Sequence, residues 1–272
     1  MRVVTIGRAL LTVAALVGCP AAAAAKQIAQ TDPDLINADR PGIADGSGLI
    51  ARGQLQIEIG FQREFRDNAG TKTRTSFLPA LVRVGMSRRF EGRVETNAYT
   101  WLEATDATSV SHSSGWASAS LGLKYRVYDA NESHRPSVGA IVRVFPSSGS
   151  TEFGTGHVTA DARLAADFSL SRTLSVNPNV GIARYEGANG QTFAAALFAA
   201  TLSYQPSERI NPFIDIAFQS PADAGASASV ILDVGLGYII GRNLQLDVSV
   251  GTGTSGAARP FVSFGMSVRS HR

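Results

Sequence analysis

Apolar and polar residues alternate with a period of two along most of the chain. Residues 229–251 show the unit. Val230, Leu232, Val234, Leu236, Tyr238 and Ile240 alternate with Ser229, Ile231, Asp233, Gly235, Gly237 and Ile239. Gly241-Arg242-Asn243 then turns the chain. Leu244, Leu246, Val248 and Val250 follow, alternating with Gln245, Asp247, Ser249 and Gly251. Successive side chains of a strand point to opposite faces, so this spacing predicts a hairpin with one apolar face. The same unit recurs at 55–61, 78–86, 94–102, 117–127, 138–144, 158–168, 174–182, 193–204, 214–218 and 260–268. The chain therefore reads as all-β, with about twelve strands. The strand at 174–182 is weakened by Pro178, and both phases of 193–204 are too alanine-rich to assign its faces.

Charge placement decides between two kinds of sheet. Glu58, Arg83, Arg93, Glu95, Lys124, Arg126 and Arg143 fall in the phase opposite to the apolar residues. So do Asp161, Arg163, Asp167, Asp215, Asp233 and Asp247. A soluble sheet also alternates, with its apolar face turned inward. Here acids and bases sit in the middle of many strands of near-bilayer length. That pattern predicts a transmembrane antiparallel up-and-down β-barrel, apolar outside and polar within. The thirteen charged residues are then candidates for lining the lumen. They can pair across neighbouring strands and fill a narrow barrel, or some can line a solute path and set its selectivity.

The connections alternate too. Those at 87–90, 169–173, 205–210 and 241–243 are short, whereas 66–73, 105–115, 147–156, 221–227 and 252–259 are mostly longer and rich in Ser, Thr and Gly. The connection at 129–136 is the longest of the first set, and 187–191 is the short exception in the second. Short turns on one side and long loops on the other are expected of a barrel whose termini share the periplasmic side.

The N-terminus adds an export signal to this picture. Arg2 and Arg8 precede an apolar stretch at 9–17, and Ala23-Ala24-Ala25 offers a cleavage site, so residues 1–25 read as a signal peptide. Cys19, the single cysteine, follows Leu16-Val17-Gly18, which also resembles a lipoprotein processing site. Cleavage after Ala25 would leave a chain without thiol chemistry. Residues 26–52 are rich in Gly, Pro and Asp and lack a period, which predicts an extended periplasmic lead-in ahead of a barrel at 53–272. Within it Asp39 and Arg40 are candidates for a plug or gate docked in the lumen, with a flexible tether as the other reading. The net charge is only +3 and the basic residues are scattered, so no nucleic-acid partner is expected.

No catalytic, cofactor-binding or metal site is predicted. His112, His134, His157 and His271 are scattered through loops and the tail without ligand spacing. Residues 251–256, Gly-Thr-Gly-Thr-Ser-Gly, fit a dinucleotide-binding pattern formally, but a strand follows where a helix is needed. There is no Gly-x-Ser-x-Gly elbow and no strand pairs a serine with a histidine, so the chain reads as a non-enzyme.

Asn37-Ala38-Asp39-Arg40-Pro41-Gly42, followed by Gly53-Gln54-Leu55-Gln56-Ile57-Glu58-Ile59-Gly60-Phe61, resembles the start of an outer-membrane transporter family labelled "MetA-pathway of phenol degradation". The resemblance extends through the strand rhythm to the C-terminus. It implies a Gram-negative outer-membrane barrel passing small hydrophobic or aromatic compounds. The implied partners are the lipid bilayer, such a solute and the outer-membrane assembly machinery. Many such barrels end on an aromatic residue that the machinery reads. Here the last strand carries Phe261 and Phe264 ahead of a tail ending in Arg272. Two other functions fit the same pattern: a structural or surface-interaction outer-membrane barrel without transport, and a soluble periplasmic binding barrel with Leu232, Leu236, Leu246 and Val250 turned inward.

Overall fold

A computed structural model describes residues 35–68, 70–129, 136–186, 190–221, 227–255 and 259–271. The predicted signal peptide, Cys19 and His134 lie outside the described residues.

The described residues form fifteen strands. The first are β1 (Leu55–Asn68), β2 (Thr71–Phe77), β3 (Ala80–Gly85), β4 (Phe90–Thr96) and β5 (Tyr99–Thr105). Next come β6 (Val110–Trp116), β7 (Ala119–Tyr128), β8 (Ser137–Phe145), β9 (Thr159–Ser169) and β10 (Leu174–Glu186). The last are β11 (Thr192–Tyr204), β12 (Ile210–Gln219), β13 (Ser229–Ile239), β14 (Leu244–Ser255) and β15 (Phe261–Arg269). All pairings are antiparallel, and β15 pairs with β1 to close the sheet. Three staves are each broken once, between β2 and β3, β4 and β5, and β6 and β7. Counting each as one stave gives a twelve-strand barrel. Closure removes the open edge that lipid could not satisfy.

The three breaks lie side by side and form a crease. Pro79 has no N–H to give to the ladder. Ala98 adopts φ 42°, and its N–H donates to Thr96 Oγ1 at 2.9 Å. Leu78 N–H reaches Asn97 O and Tyr99 O at 3.3 and 3.2 Å, and Ala117 N–H reaches Ala98 O at 2.8 Å. On the long-loop side of the crease, β6 pairs with β5 alone. Its free edge is covered by the β8–β9 connection, where Ser150 N–H donates to Trp116 O at 2.8 Å.

At the closing seam the register runs from Gln56 opposite Arg269 to Glu64 opposite Phe261. Phe61 and Phe264 face each other across it on the outer surface, with ring centroids 5.3 Å apart. The faces are inverted relative to a soluble core. Leu232, Val234, Leu246 and Val250 are 41–49% exposed, whereas Asp233 between them is 3% exposed. Leu232, Leu236, Leu246 and Val250 therefore point outward, which removes the soluble binding barrel. The outer face is an apolar band, and Phe90, Tyr125, Phe168, Tyr204 and Tyr238 lie near its short-turn end. Aromatic side chains favour that height, where lipid meets headgroup.

Candidate functional site: the barrel lumen

The interior is built from two parts, the inward phase of the strands and the segment ahead of β1. The sequence reading made that segment a periplasmic lead-in, with only Asp39 and Arg40 as candidates for docking in the lumen. Instead, residues 35–52 run extended through the interior. Ile36 N–H donates to Arg242 O at 2.8 Å, and Arg269 Nη1 donates to Leu35 O at 3.1 Å, both at the short-turn rim. The chain leaves the interior at Gly53, whose N–H donates to Gly85 O at 2.8 Å. The peptide between Arg40 and Pro41 is cis.

The segment has no strand partner, so its buried backbone groups must find partners elsewhere. Side chains of the wall supply them. Glu58 accepts from the N–H groups of Asp39 and Arg40 at 3.3 and 2.9 Å. Asp215 accepts from Ile43 N–H at 2.7 Å, and Glu91 from Ile50 N–H at 2.9 Å. Asp167 accepts from Ser47 N–H at 3.0 Å. Asn179 pairs with both backbone groups of Asp45, at 2.9 Å each. The carbonyls are served by donors. Gln56 and Arg83 reach Asn37 O at 3.0 Å, Lys124 reaches Gly46 O at 2.9 Å, and Gln245 reaches Arg40 O at 2.9 Å.

Charge pairs add to this docking. Asp39 sits among three cations, with Arg93 at 2.5 Å, Lys124 at 3.0 Å and Arg83 at 3.7 Å. Asp45 meets Arg93 at 2.9 Å and Arg163 at 3.4 Å. Across the β1–β15 seam Arg40 meets Asp247 at 3.0 Å and Ser263 Oγ at 3.1 Å. Arg83 also binds Glu91 at 2.8 Å and Glu58 at 3.2 Å. Arg143 pairs with Asp161 at 2.6 Å and with Glu95.

Of the thirteen lumen candidates, Glu58, Arg83, Arg93, Lys124, Arg143, Asp161, Asp215, Asp233 and Asp247 are buried. Glu95, Arg163 and Asp167 are half-buried at the edges of the same network. Arg126 stands apart: it pairs with Asp129, at 2.8 Å, at the short-turn end of β7. Glu91, Asp45, Asn179 and Gln56 belong to the network but escaped the sequence reading. Glu91 and Gln56 are in the inward phase, Glu91 two residues before Arg93, which was the available signal. Asp45 lies in a stretch without period, so nothing marked it.

Glycines in the inward phase make the groove. Gly60 and Gly265 are register partners, and a Cβ on either would meet the Arg40 guanidinium at 2.5–2.6 Å. A Cβ on Gly85 would run into the Ala51 carbonyl, and one on Gly139 would press on Ser47. Between the segment and the long-loop half of the wall remains a cavity of about 590 Å³. Leu81, Phe145, Tyr185, Ile231 and Phe261 line it together with Arg93, Glu95 and Asp233.

Outside the span, the β5–β6 turn is pinned by Asp106. The N–H and hydroxyl of Thr108, and then those of Ser109, donate to its carboxylate at 2.7–3.0 Å, and they push its pKa down to about 2.

A closed antiparallel barrel, apolar outside and charged within, is a transmembrane β-barrel with the fold of outer-membrane channels. The chain belongs to the family described as "Putative MetA-pathway of phenol degradation", whose sequence pattern matches residues 38–270. The match includes Asp39 and Arg40, and so reaches into the segment that enters the lumen. No curated protein sequence matches the chain significantly. Among solved structures, it is similar to the COG4313 outer membrane channel of Pseudomonas putida F1 at 12% identity and a TM-score of 0.62. That match covers 81% of this chain and 97% of the other. The translocator domain of the autotransporter NalP from Neisseria meningitidis matches at 11% identity and a TM-score of 0.53, covering 81% and 90%. The KdgM porin, solved with disordered oligogalacturonate, matches at 14% identity and 0.51, covering 80% and 99%. The protein is an outer-membrane barrel in contact with the bilayer. The neighbours are a channel, a translocator and a porin, and the likeness to them is one of fold.

Proposed function

We propose that the protein is an outer-membrane channel for small hydrophobic or aromatic solutes, that residues 35–52 are its plug, and that Asp39 and Arg40 latch the plug to the wall on either side of the β1–β15 seam. Export by the signal peptide at 1–25 and insertion by the outer-membrane assembly machinery belong to the same reading. The cavity above the plug carries the proposal. Its volume is that of a small-molecule site, and such sites are mostly apolar with a few placed polar groups. Most lumen charges are spent on each other or on the plug, which leaves Phe145, Tyr185, Ile231 and Phe261 to meet a solute. A barrel without transport is the second reading, favoured by the number of hydrogen bonds that hold the segment across the lumen.

Entry of N-phenyl-1-naphthylamine, an aromatic dye that fluoresces once past an intact outer membrane, separates the two. Cells expressing the protein should take up the dye faster than matched cells without it. Equal rates, with folded barrel present in the outer membrane, would leave the non-transporting reading standing.

A further inference from the structure

The buried acids of the lumen are not all alike. Asp39, Asp45, Glu58, Glu91, Asp161 and Asp247 each contact a guanidinium or ammonium group. Asp215 and Asp233 contact none among the described residues, although they are 0% and 3% exposed. They are register partners on β12 and β13, so their carboxylates leave the wall side by side. Like charges directly opposite on a sheet repel, and burial without a counter-charge raises the cost.

A third oxygen joins them. Thr201 is the register partner of Asp215 on β11, and its side chain is 7% exposed. The row Thr201–Asp215–Asp233 ends on Gly251, whose missing side chain leaves room for the Phe261 ring and the Asp233 Cβ. Asp215 spends Oδ2 on Ile43 N–H. Its Oδ1, both oxygens of Asp233 and Thr201 Oγ1 are buried, and the only partners within reach are one another, Thr201 with Asp215 and Asp215 with Asp233. Four buried oxygens from three adjacent strands therefore converge beside the plug, with no cation and no donor from outside the row on them.

We infer that Thr201, Asp215 and Asp233 form a site for a hard divalent cation of the Ca²⁺ type. The donor set is oxygen only, which suits Ca²⁺ and not the metals that select imidazole or thiolate. Two carboxylates supply the charge that a divalent ion neutralises. No third acidic, histidine or cysteine side chain joins them among the described residues. Asp233 borders the cavity, so water can complete the shell. The consequence for transport rests on the plug reading: the ion fixes the carboxylate that holds Ile43, and so tightens the plug against β11–β13. Binding itself does not depend on that reading.

The test uses the purified, folded full chain in detergent, stripped with a chelator. Calorimetric titration with Ca²⁺ should show one saturable site, and Ca²⁺ should raise the melting temperature. Asp233→Asn and Asp215→Asn should lose both responses, Thr201→Val should weaken them, and Glu103→Gln, in an exposed pair, should keep them. Without Ca²⁺, Asp233→Asn should melt no lower than the parent, because it removes repulsion; this separates a lost ligand from a lost fold. No saturable binding, binding retained in both Asn variants, or the same stabilisation by Na⁺ alone would overturn the site. Ca²⁺ binding in a barrel whose conductance ignores plug variants would sink the plug reading and leave the site intact.

Discussion

Arg83 shows how single residues hold the lumen together. Its guanidinium joins two wall carboxylates, Glu58 and Glu91, to two carbonyls of the lumen segment, Asn37 O and Gly48 O. Arginine suits this place because its planar fork offers five donors in fixed directions. Arg83→Met should destabilise the barrel by about 3–5 kcal/mol, since it strands two buried carboxylates. Arg126→Met should cost less than about 1 kcal/mol, because its pair is solvated. Urea unfolding in lipid vesicles measures both, and equal small losses would mean that the Arg83 network contributes little. The sequence marks Arg83 as inward-facing, because period two fixes the face of every strand residue. It does not reveal the segment carbonyls that Arg83 binds, because backbone acceptors leave no trace in residue type. The glycines were the missed clue. Gly60, Gly85, Gly139 and Gly265 stand in the inward phase where side chains would otherwise fill the lumen, and each empty position borders the segment.

The strands read well from sequence as long as they are regular. Val230 to Val250 gives the faces of β13 and β14 directly, with Asp233 and Asp247 inward and the valines and leucines outward. Val234→Arg puts a charge on the outward face near the middle of β13 and should cost about 2–4 kcal/mol by the same unfolding measurement. A near-zero cost would mean that this face does not meet hydrocarbon. The crease was less legible. Pro79 hints at the first break, but Ala98 and Ala117 carry no breaker signature. Their geometry follows from the bonds of Thr96, which accepts from Ala98 N–H and donates to Ser118 O. Such side-chain capping is decided by neighbouring strands, not by local sequence. The alanines of β11 are ambiguous for a related reason: small residues suit both the crowded interior, where Ala195 and Ala199 are buried, and the outer face.

At the scale of the whole molecule, the barrel and the segment at 35–52 rest on different physics. The barrel closes through backbone ladders, and its inverted polarity is written in the phase of the charges. That segment has no period, yet its Gly-, Pro- and Asp-rich composition suits a chain that must be threaded and held by side chains. Its path through the interior was not legible for that reason. Asp39 and Arg40 reach the wall on either side of the β1–β15 seam, Asp39 to Arg93 and Lys124 on β4 and β7, Arg40 to Asp247 on β14. Loss of both should free the segment while the strand ladders stay intact. Single-channel conductance in planar bilayers tests this most directly. The account predicts a small conductance for the parent chain and a several-fold larger one for the Asp39→Ala, Arg40→Ala double variant, with both showing the same β-sheet circular dichroism. Identical conductance in the two folded proteins would contradict it.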